Sequence, residues 1–304
     1  MSRIVLSFPA DTALGGRVAQ ALGAQHAPVG WRHFPDGESL VTIEPKLEGA
    51  DVAILASLRE PDALALPLRF AADTAREFGA RSVGLIAPYL AYMRQDTRFE
   101  PGQAVSAPLF ARFLEEGFDW LVTVDPHLHR IGALGTLYRI PVEVVAAAPV
   151  VADWIATHVP DAVVIGPDSE SLQWVAAVAD AAGVPYQVLN KTRHGDTDVV
   201  VSLPDRDALA GRTPVLVDDI VSSGRTIIET IGHLARLGVP APVVVAIHAV
   251  FAGEAYTALQ LAGAASVIST DTIAHPSNAI FMATSLAARA ALRMLDIANS
   301  EVSR

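Results

Sequence analysis

From Val215 to Thr226 the chain reads V-L-V-D-D-I-V-S-S-G-R-T, an apolar run that ends in two adjacent carboxylates, then Ser-Ser-Gly, then a helical pattern. Burying an unpaired charge costs several kcal/mol. Asp218 and Asp219 therefore belong where a strand meets water or a ligand. Residues Ser222, Ser223, Gly224, Arg225 and Thr226 read as a tight loop into a helix that starts near Thr226. Backbone N–H groups at such a helix start, together with its dipole, suit a phosphate. Two carboxylates beside a phosphate cradle suit vicinal sugar hydroxyls, or a metal reached through water. Together they describe a phosphorylated ribose. The same residues also read as an N-capped helix after an acidic turn, and the local pattern leaves both readings open.

Other polar residues gather at the ends of apolar runs. Arg94, Gln95 and Arg98 follow "VGLIAPY", His127 follows "WLVTVDP", and Asp168 follows "AVVIGP". Lys191 and Arg193 flank a loop containing Gly195 and His194, and Phe34, Asp36 and Glu38 lie in "FPDGES". Each has a plain alternative: an Arg94–Asp96 pair, hydrogen-bonded histidine at a strand end, a basic hairpin tip, a simple turn.

Open α/β sheets bind ligands beyond the carboxyl ends of their strands, so these residues need strands behind them. Strands are expected at Ile4–Phe8, Val52–Ala56, Ser82–Ala87, Leu121–Asp125, Ala162–Ile165, Tyr186–Leu189, Val199–Leu203, Val215–Asp218, Val243–His248 and Val267–Ser269. Helical periods run over Ala63–Phe78, Ala107–Glu116, Pro149–His158, Ser171–Ala182, Thr226–Leu237, Ala255–Ala262 and about Ala279 to Ala298. Continuous apolar strands alternating with helices predict an α/β protein whose mainly parallel sheets are flanked by helices. The layout repeats, with a boundary near residue 146. This predicts one domain over 1–146, joined by a C-terminal helix over 286–304, and a second over 147–285. With 304 residues the chain suits two domains of roughly 150.

Half the residues are hydrophobic and 18% are charged, which excludes large-scale disorder. The formal charge of −11 argues against nucleic acid or an anionic membrane as partner. Cysteine is absent, so neither disulfides nor thiolate chemistry is available. The N-terminus reads as a first strand rather than a signal peptide. The longest apolar stretch, about Ala241 to Ala252, is too short to span a bilayer and contains His248. A soluble, cytoplasmic protein is expected. Neither GxxxxGK[ST] nor GxGxxG occurs.

"VLVDDIVSSGRT" resembles the signature of type I phosphoribosyltransferase folds. "FPDGES", "PYLAYMRQDTRFEPGQAVSA", "VTVDPH", "GPDSES" and "NKTRHGDTD" follow in the order found in ribose-phosphate diphosphokinases, and the likeness spans nearly the whole chain. The resemblance implies two tandem phosphoribosyltransferase-like domains. It implies transfer of the β,γ-diphosphoryl unit of ATP to the 1-hydroxyl of ribose 5-phosphate, giving AMP and PRPP with Mg²⁺ as cofactor. By similarity, Arg94 and Gln95 hold nucleotide phosphates, and Phe34, Asp36 and Glu38 bind adenine from a neighbouring subunit. Lys191 and Arg193 close over the reacting phosphates, and His127 and Asp168 help hold Mg²⁺, with His129 competing for the role. Asp218 and Asp219 grip the ribose while Ser222–Thr226 hold its phosphate. The resemblance also implies a homo-oligomer, dimeric or hexameric.

Three departures from the family pattern stand out. Ser169-Glu170-Ser171 replaces the two glycines usual after Asp168, Ser222-Ser223 replaces Asp-Thr, and Thr97-Arg98 replaces an arginine–lysine pair. They keep two alternatives open: a non-catalytic regulatory homologue, and a divergent transferase acting on another phosphosugar such as ribose 1,5-bisphosphate or using another donor.

Overall fold

The computed structural model describes residues 2–128, 130–189, 191–194, 198–201 and 206–302. The chain divides into two compact units, Met1–Val145 with Ala283–Arg304, and Ala146–Met282.

The first unit carries β1 (Arg3–Ser7), α1 (Thr12–Leu22), β2 (Gln25–Pro28), β3 (Gly30–His33), β4 (Ser39–Thr42), β5 (Asp51–Leu55), α2 (Pro61–Glu77), β6 (Ser82–Ala87), α3 (Ser106–Glu115), β7 (Trp120–Val124) and β8 (Val142–Val145). Six strands form one parallel sheet in the order β2-β1-β5-β6-β7-β8. β5, β6 and β7 are buried at every residue, as strands covered by helices on both faces must be. Their continuous apolar runs are what made them readable in the sequence. Packing across the sheet is close at Gly84, where a Cβ would come within 1.8 Å of the buried Trp120 ring. β3 and β4 form a separate antiparallel hairpin with register Trp31↔Val41.

The second unit carries α4 (Ala148–His158), β9 (Ala162–Gly166), α5 (Leu172–Ala182), β10 (Tyr186–Val188), β11 (Lys191–His194), β12 (Asp198–Val201), α6 (Arg206–Leu209), β13 (Thr213–Ile220), α7 (Arg225–Leu237), β14 (Val243–His248), α8 (Ala255–Leu261), β15 (Ser266–Thr270) and β16 (Asn278–Ile280). Its parallel sheet runs β10-β9-β13-β14-β15-β16, the same order of crossing as in the first unit. The final helix α9 (Ala283–Val302) packs on α1 and on β6, β7 and β8 of the first unit. There Arg293 lies 2.9 Å from the Glu143 carboxylate.

In each sheet the chain leaves a central strand, crosses through a helix to one neighbour, then returns to the other side. β1 and β5 flank that reversal in the first unit, β9 and β13 in the second. The carboxyl ends of the two strands at such a reversal open a crevice, because their connections leave in opposite directions. Among the described residues, no helix is long and apolar enough to cross a membrane.

Candidate functional site

In the second unit the crevice between β9 and β13 is acidic. β13 runs on through both aspartates to Ile220, two residues beyond the expected strand end, and pairs Leu216 with Ile165 of β9. Asp168, two residues past the end of β9, is thereby carried towards Asp218, fifty residues away in sequence. Asp219 is buried, and its Oδ1 accepts the Ile220 N–H at 2.8 Å. Asp218 keeps some surface open to solvent but is surrounded by protein. Burial pushes its carboxyl well above the ordinary range, and the charges of Asp219 and then Asp168 push it further. The Asp218 carboxyl, desolvated and in the field of two further carboxylates, gains from hydroxyl donors or from a cation that brings its own waters.

Past Asp168, Ser169–Ser171 form one 3₁₀ turn. The Asp168 carboxylate accepts the Glu170 N–H at 3.1 Å, and the Ser171 hydroxyl donates to the Asp168 carbonyl at 2.5 Å. Packing is close at Gly166, where a Cβ would sit 2.2 Å from Ser171 Oγ and 3.0 Å from Val175 Cγ2. Glu170 is exposed.

The loop after β13 reaches α7 through Gly224, whose φ of +69° suits glycine. α7 starts at Arg225, within a residue of the expected Thr226. Phe251 N–H donates to the Val221 carbonyl at 2.8 Å and Ala252 N–H to the Ser222 carbonyl at 3.1 Å. Leu259 of α8 stands 3.4 Å from where a Cβ on Gly224 would lie. Sequence reading missed this supporting layer, because 249–252 looked like the tail of an apolar run. The one available signal was glycine at 253 directly after it. His248 is a buried structural histidine, its Nδ1 2.9 Å from Thr272 Oγ1.

In the first unit, a cavity of about 520 Å³ opens beyond the carboxyl ends of β5 and β6. Leu58, Arg59, Tyr92, Arg94, Gln95 and Phe99 line it. The volume falls in the range of small-molecule sites, and an apolar, aromatic wall with cations fits a nucleotide. Tyr92 holds φ at +64°, donates its hydroxyl to Asp62 and packs on Phe110 at 4.7 Å. Its carbonyl accepts the Gln95 N–H at 3.0 Å, which closes the turn that carries Arg94. The Tyr92 hydroxyl is pushed up to about 12, first by the Asp62 hydrogen bond and then by burial. Gln95 Oε1 accepts from Ser106 Oγ at 2.5 Å, leaving its amide N–H₂ as the donor end. Asp96 is held by Arg130, through its backbone N–H at 3.2 Å and Nη1 at 3.0 Å, so the Arg94–Asp96 pair is replaced by Arg130–Asp96.

Phe34, Asp36 and Glu38 occupy the β3–β4 turn. Gly37 N–H donates to the Phe34 carbonyl at 2.9 Å, Phe34 N–H to the Glu38 carbonyl at 2.8 Å, and Arg32 lies over the Phe34 ring at 4.7 Å. Phe34 is 39% exposed. His127 lies three residues past β7, after Asp125, whose φ is +29°. His129 lies outside the described residues. Lys191 and Arg193 are on β11, paired with Val201 and Val199 of β12; their side chains lie outside the described residues.

Two family models match the chain. The N-terminal domain of ribose phosphate pyrophosphokinase covers residues 3–117, and the phosphoribosyl transferase domain covers 144–286. The ribose-phosphate pyrophosphokinase of Methanopyrus kandleri is 37% identical over 286 residues, 93% of this chain and 97% of the relative. The chain belongs to the ribose-phosphate pyrophosphokinase family. The ribose-phosphate pyrophosphokinase of Halobacterium salinarum is 38% identical over 272 residues, 89% of this chain and 94% of the relative. A crystal structure of phosphoribosylpyrophosphate synthetase from Mycobacterium smegmatis superposes with a TM-score of 0.84 at 26% identity, covering 97% of this chain and all of that one. The protein is thus a transferase of the ribose-phosphate pyrophosphokinase type, and its two mainly parallel sheets flanked by helices are the expected fold. Among the sequence-expected residues of this pyrophosphokinase, the fold brings Asp168, Asp218 and Asp219 together in one unit, and Arg94 and Gln95 to one cavity in the other.

Proposed function

We propose that the protein makes PRPP from ATP and ribose 5-phosphate in a Mg²⁺-dependent reaction. The observation that carries this reading is the crevice of the second unit, where Asp218 and Asp219 end β13 and lead directly into the Ser222–Thr226 turn. A ribose held by its hydroxyls on the aspartates, with its phosphate on the backbone N–H groups of that turn, leaves the 1-hydroxyl as the reacting group. Its oxygen bonds to the β-phosphorus of ATP, and the bond from that phosphorus to the α–β bridging oxygen breaks. The hydroxyl proton is released and AMP leaves.

Phosphoryl transfer depends on positioning and charge neutralisation more than on covalent chemistry. Arg94 and Gln95 bind nucleotide phosphates in the first-unit cavity, and Phe34, Asp36 and Glu38 receive the adenine of a second copy in a homo-oligomer. Lys191 and Arg193 stabilise the charge that develops on the transferred group.

Among the described residues, no group of three or more His, Asp and Glu is arranged to hold a metal ion. Mg²⁺, however, keeps several waters and takes substrate phosphate oxygens, so one or two carboxylates suffice. The desolvated Asp218, raised by its acidic neighbours, fits a site that a divalent cation completes. In the second unit Asp168 is the residue that would hold it; His127, in the first unit, would meet water or nucleotide oxygen. When bound, Mg²⁺ neutralises the charge of the diphosphate.

The test is Mg²⁺-dependent AMP release from ATP with and without ribose 5-phosphate, with Lys191→Ala as control. Sugar-dependent release that falls by about 10²-fold or more in Lys191→Ala supports the reading. Folded protein that releases no AMP in the presence of the sugar overturns it, and directs the search to other phosphosugars or to a regulatory partner.

A further inference from the structure

The segment after β14 does not belong to the residues expected to touch a ligand, yet it is built with unusual care. Phe251 holds φ at +33°, a conformation that a bulky side chain adopts only when its surroundings impose it. Its ring is buried and lies 5.5 Å from Tyr256 and 4.8 Å from His275, while Tyr256 and His275 meet edge to face at 4.9 Å. His275 is itself fixed, its Nδ1 2.8 Å from Ser277 Oγ. The backbone that this three-ring cluster pins is the one donating to the carbonyls of Val221 and Ser222.

We propose that Phe251 is a positioning residue for the sugar-phosphate loop. Tyr256 and His275 clamp its ring, the clamp fixes the backbone of 251–252, and that backbone holds the carbonyls of 221–222. The N–H groups of Ser222–Thr226 then face the phosphate already ordered, so binding costs less loop entropy. This rests on the reading of Ser222–Thr226 as the ribose 5-phosphate loop.

Three variants test it: Phe251→Leu, Tyr256→Ala and Tyr256→Phe. Tyr256 is partly exposed near the start of α8, so its truncation is compatible with folding if Phe251→Leu is not. The readouts are ribose 5-phosphate binding by calorimetry and the separate KM values for ribose 5-phosphate and ATP. Loss of ring contacts weakens ribose 5-phosphate binding about tenfold in Tyr256→Ala, with KM for ATP within about twofold, and Tyr256→Phe restores the wild-type value. Unchanged sugar-phosphate affinity in folded Tyr256→Ala overturns the proposal. An equal loss for both substrates does so as well, because it marks a general structural role. Failure of Tyr256→Phe to rescue also overturns it, since that ring is retained. A wild-type protein that neither binds ribose 5-phosphate nor turns it over defeats the functional reading itself, a result distinct from unchanged variants of an active protein.

Discussion

Asp11 follows β1 at the crevice of the first unit, and its neutralisation should stabilise the protein above pH 6. The residue is 4% exposed, and its Oδ2 accepts the Ser57 N–H at 2.8 Å just past β5. Burial dominates and pushes the carboxyl from 3.8 up to about 6, while the bond from Ser57 opposes the rise. A carboxyl raised in the fold favours the protonated form. Its contribution is therefore fully present below about pH 4 and is lost as the pH climbs through about 6. One pKa unit is worth 1.36 kcal/mol, so a rise of this size corresponds to about 3 kcal/mol. Asp11→Asn keeps an amide oxygen for Ser57 and removes the charge. Urea unfolding of both proteins between pH 4 and 8 should give nearly parallel curves at the acid end and a variant more stable by about 2–3 kcal/mol at pH 7.5. Other titrating groups cancel in the difference. A difference that stays flat with pH, or a variant less stable than wild type at pH 7.5, would refute the reasoning. The consequence reaches the first-unit cavity, because Ser57 directly precedes Leu58 and Arg59 on its wall.

Further outcomes follow from the same geometry. Gly84→Ala forces a methyl into the fully buried Trp120 ring at 1.8 Å, and should lower stability by about 3 kcal/mol in urea unfolding. If Asp219 grips the ribose hydroxyls as proposed, Asp219→Asn should lower kcat/KM for ribose 5-phosphate by about 10- to 100-fold while leaving ATP affinity near wild type; steady-state AMP release measures it. Arg94→Ala removes a cation from the first-unit cavity, and should raise KM for ATP or lower kcat by about 10²-fold, with ribose 5-phosphate binding by calorimetry unaffected.

Local signals carried much of this protein. The central strands β5, β6, β7, β9, β13 and β14 are short apolar runs, and α2, α3, α4, α5 and α7 have helical periods ending near where the fold ends them. Edge strands were a different matter. β2, at Gln25–Pro28, and β8, at Val142–Val145, are only partly buried, so no continuous apolar run marks them. The β3–β4 hairpin was visible only as the turn around Gly37, since its strands mix polar and apolar residues without clean alternation.

By itself the sequence determined the local chemistry: which carboxylates end a strand, which loop enters a helix through glycine, and which cations follow an apolar run. These are properties of neighbouring residues, and backbone propensity and burial act over that range. Only the tertiary structure decided which distant residues share a site. The parallel pairing of β9 with β13 brings Asp168 into the field of Asp218, and the rings of Phe251, Tyr256 of α8 and His275 meet beside the backbone that donates to Val221 and Ser222. Asp96 went to Arg130 rather than Arg94 for the same reason. The pairing of side chains across a fold follows from strand order and register, which arise from packing the whole sheet and leave no mark within any single stretch of chain.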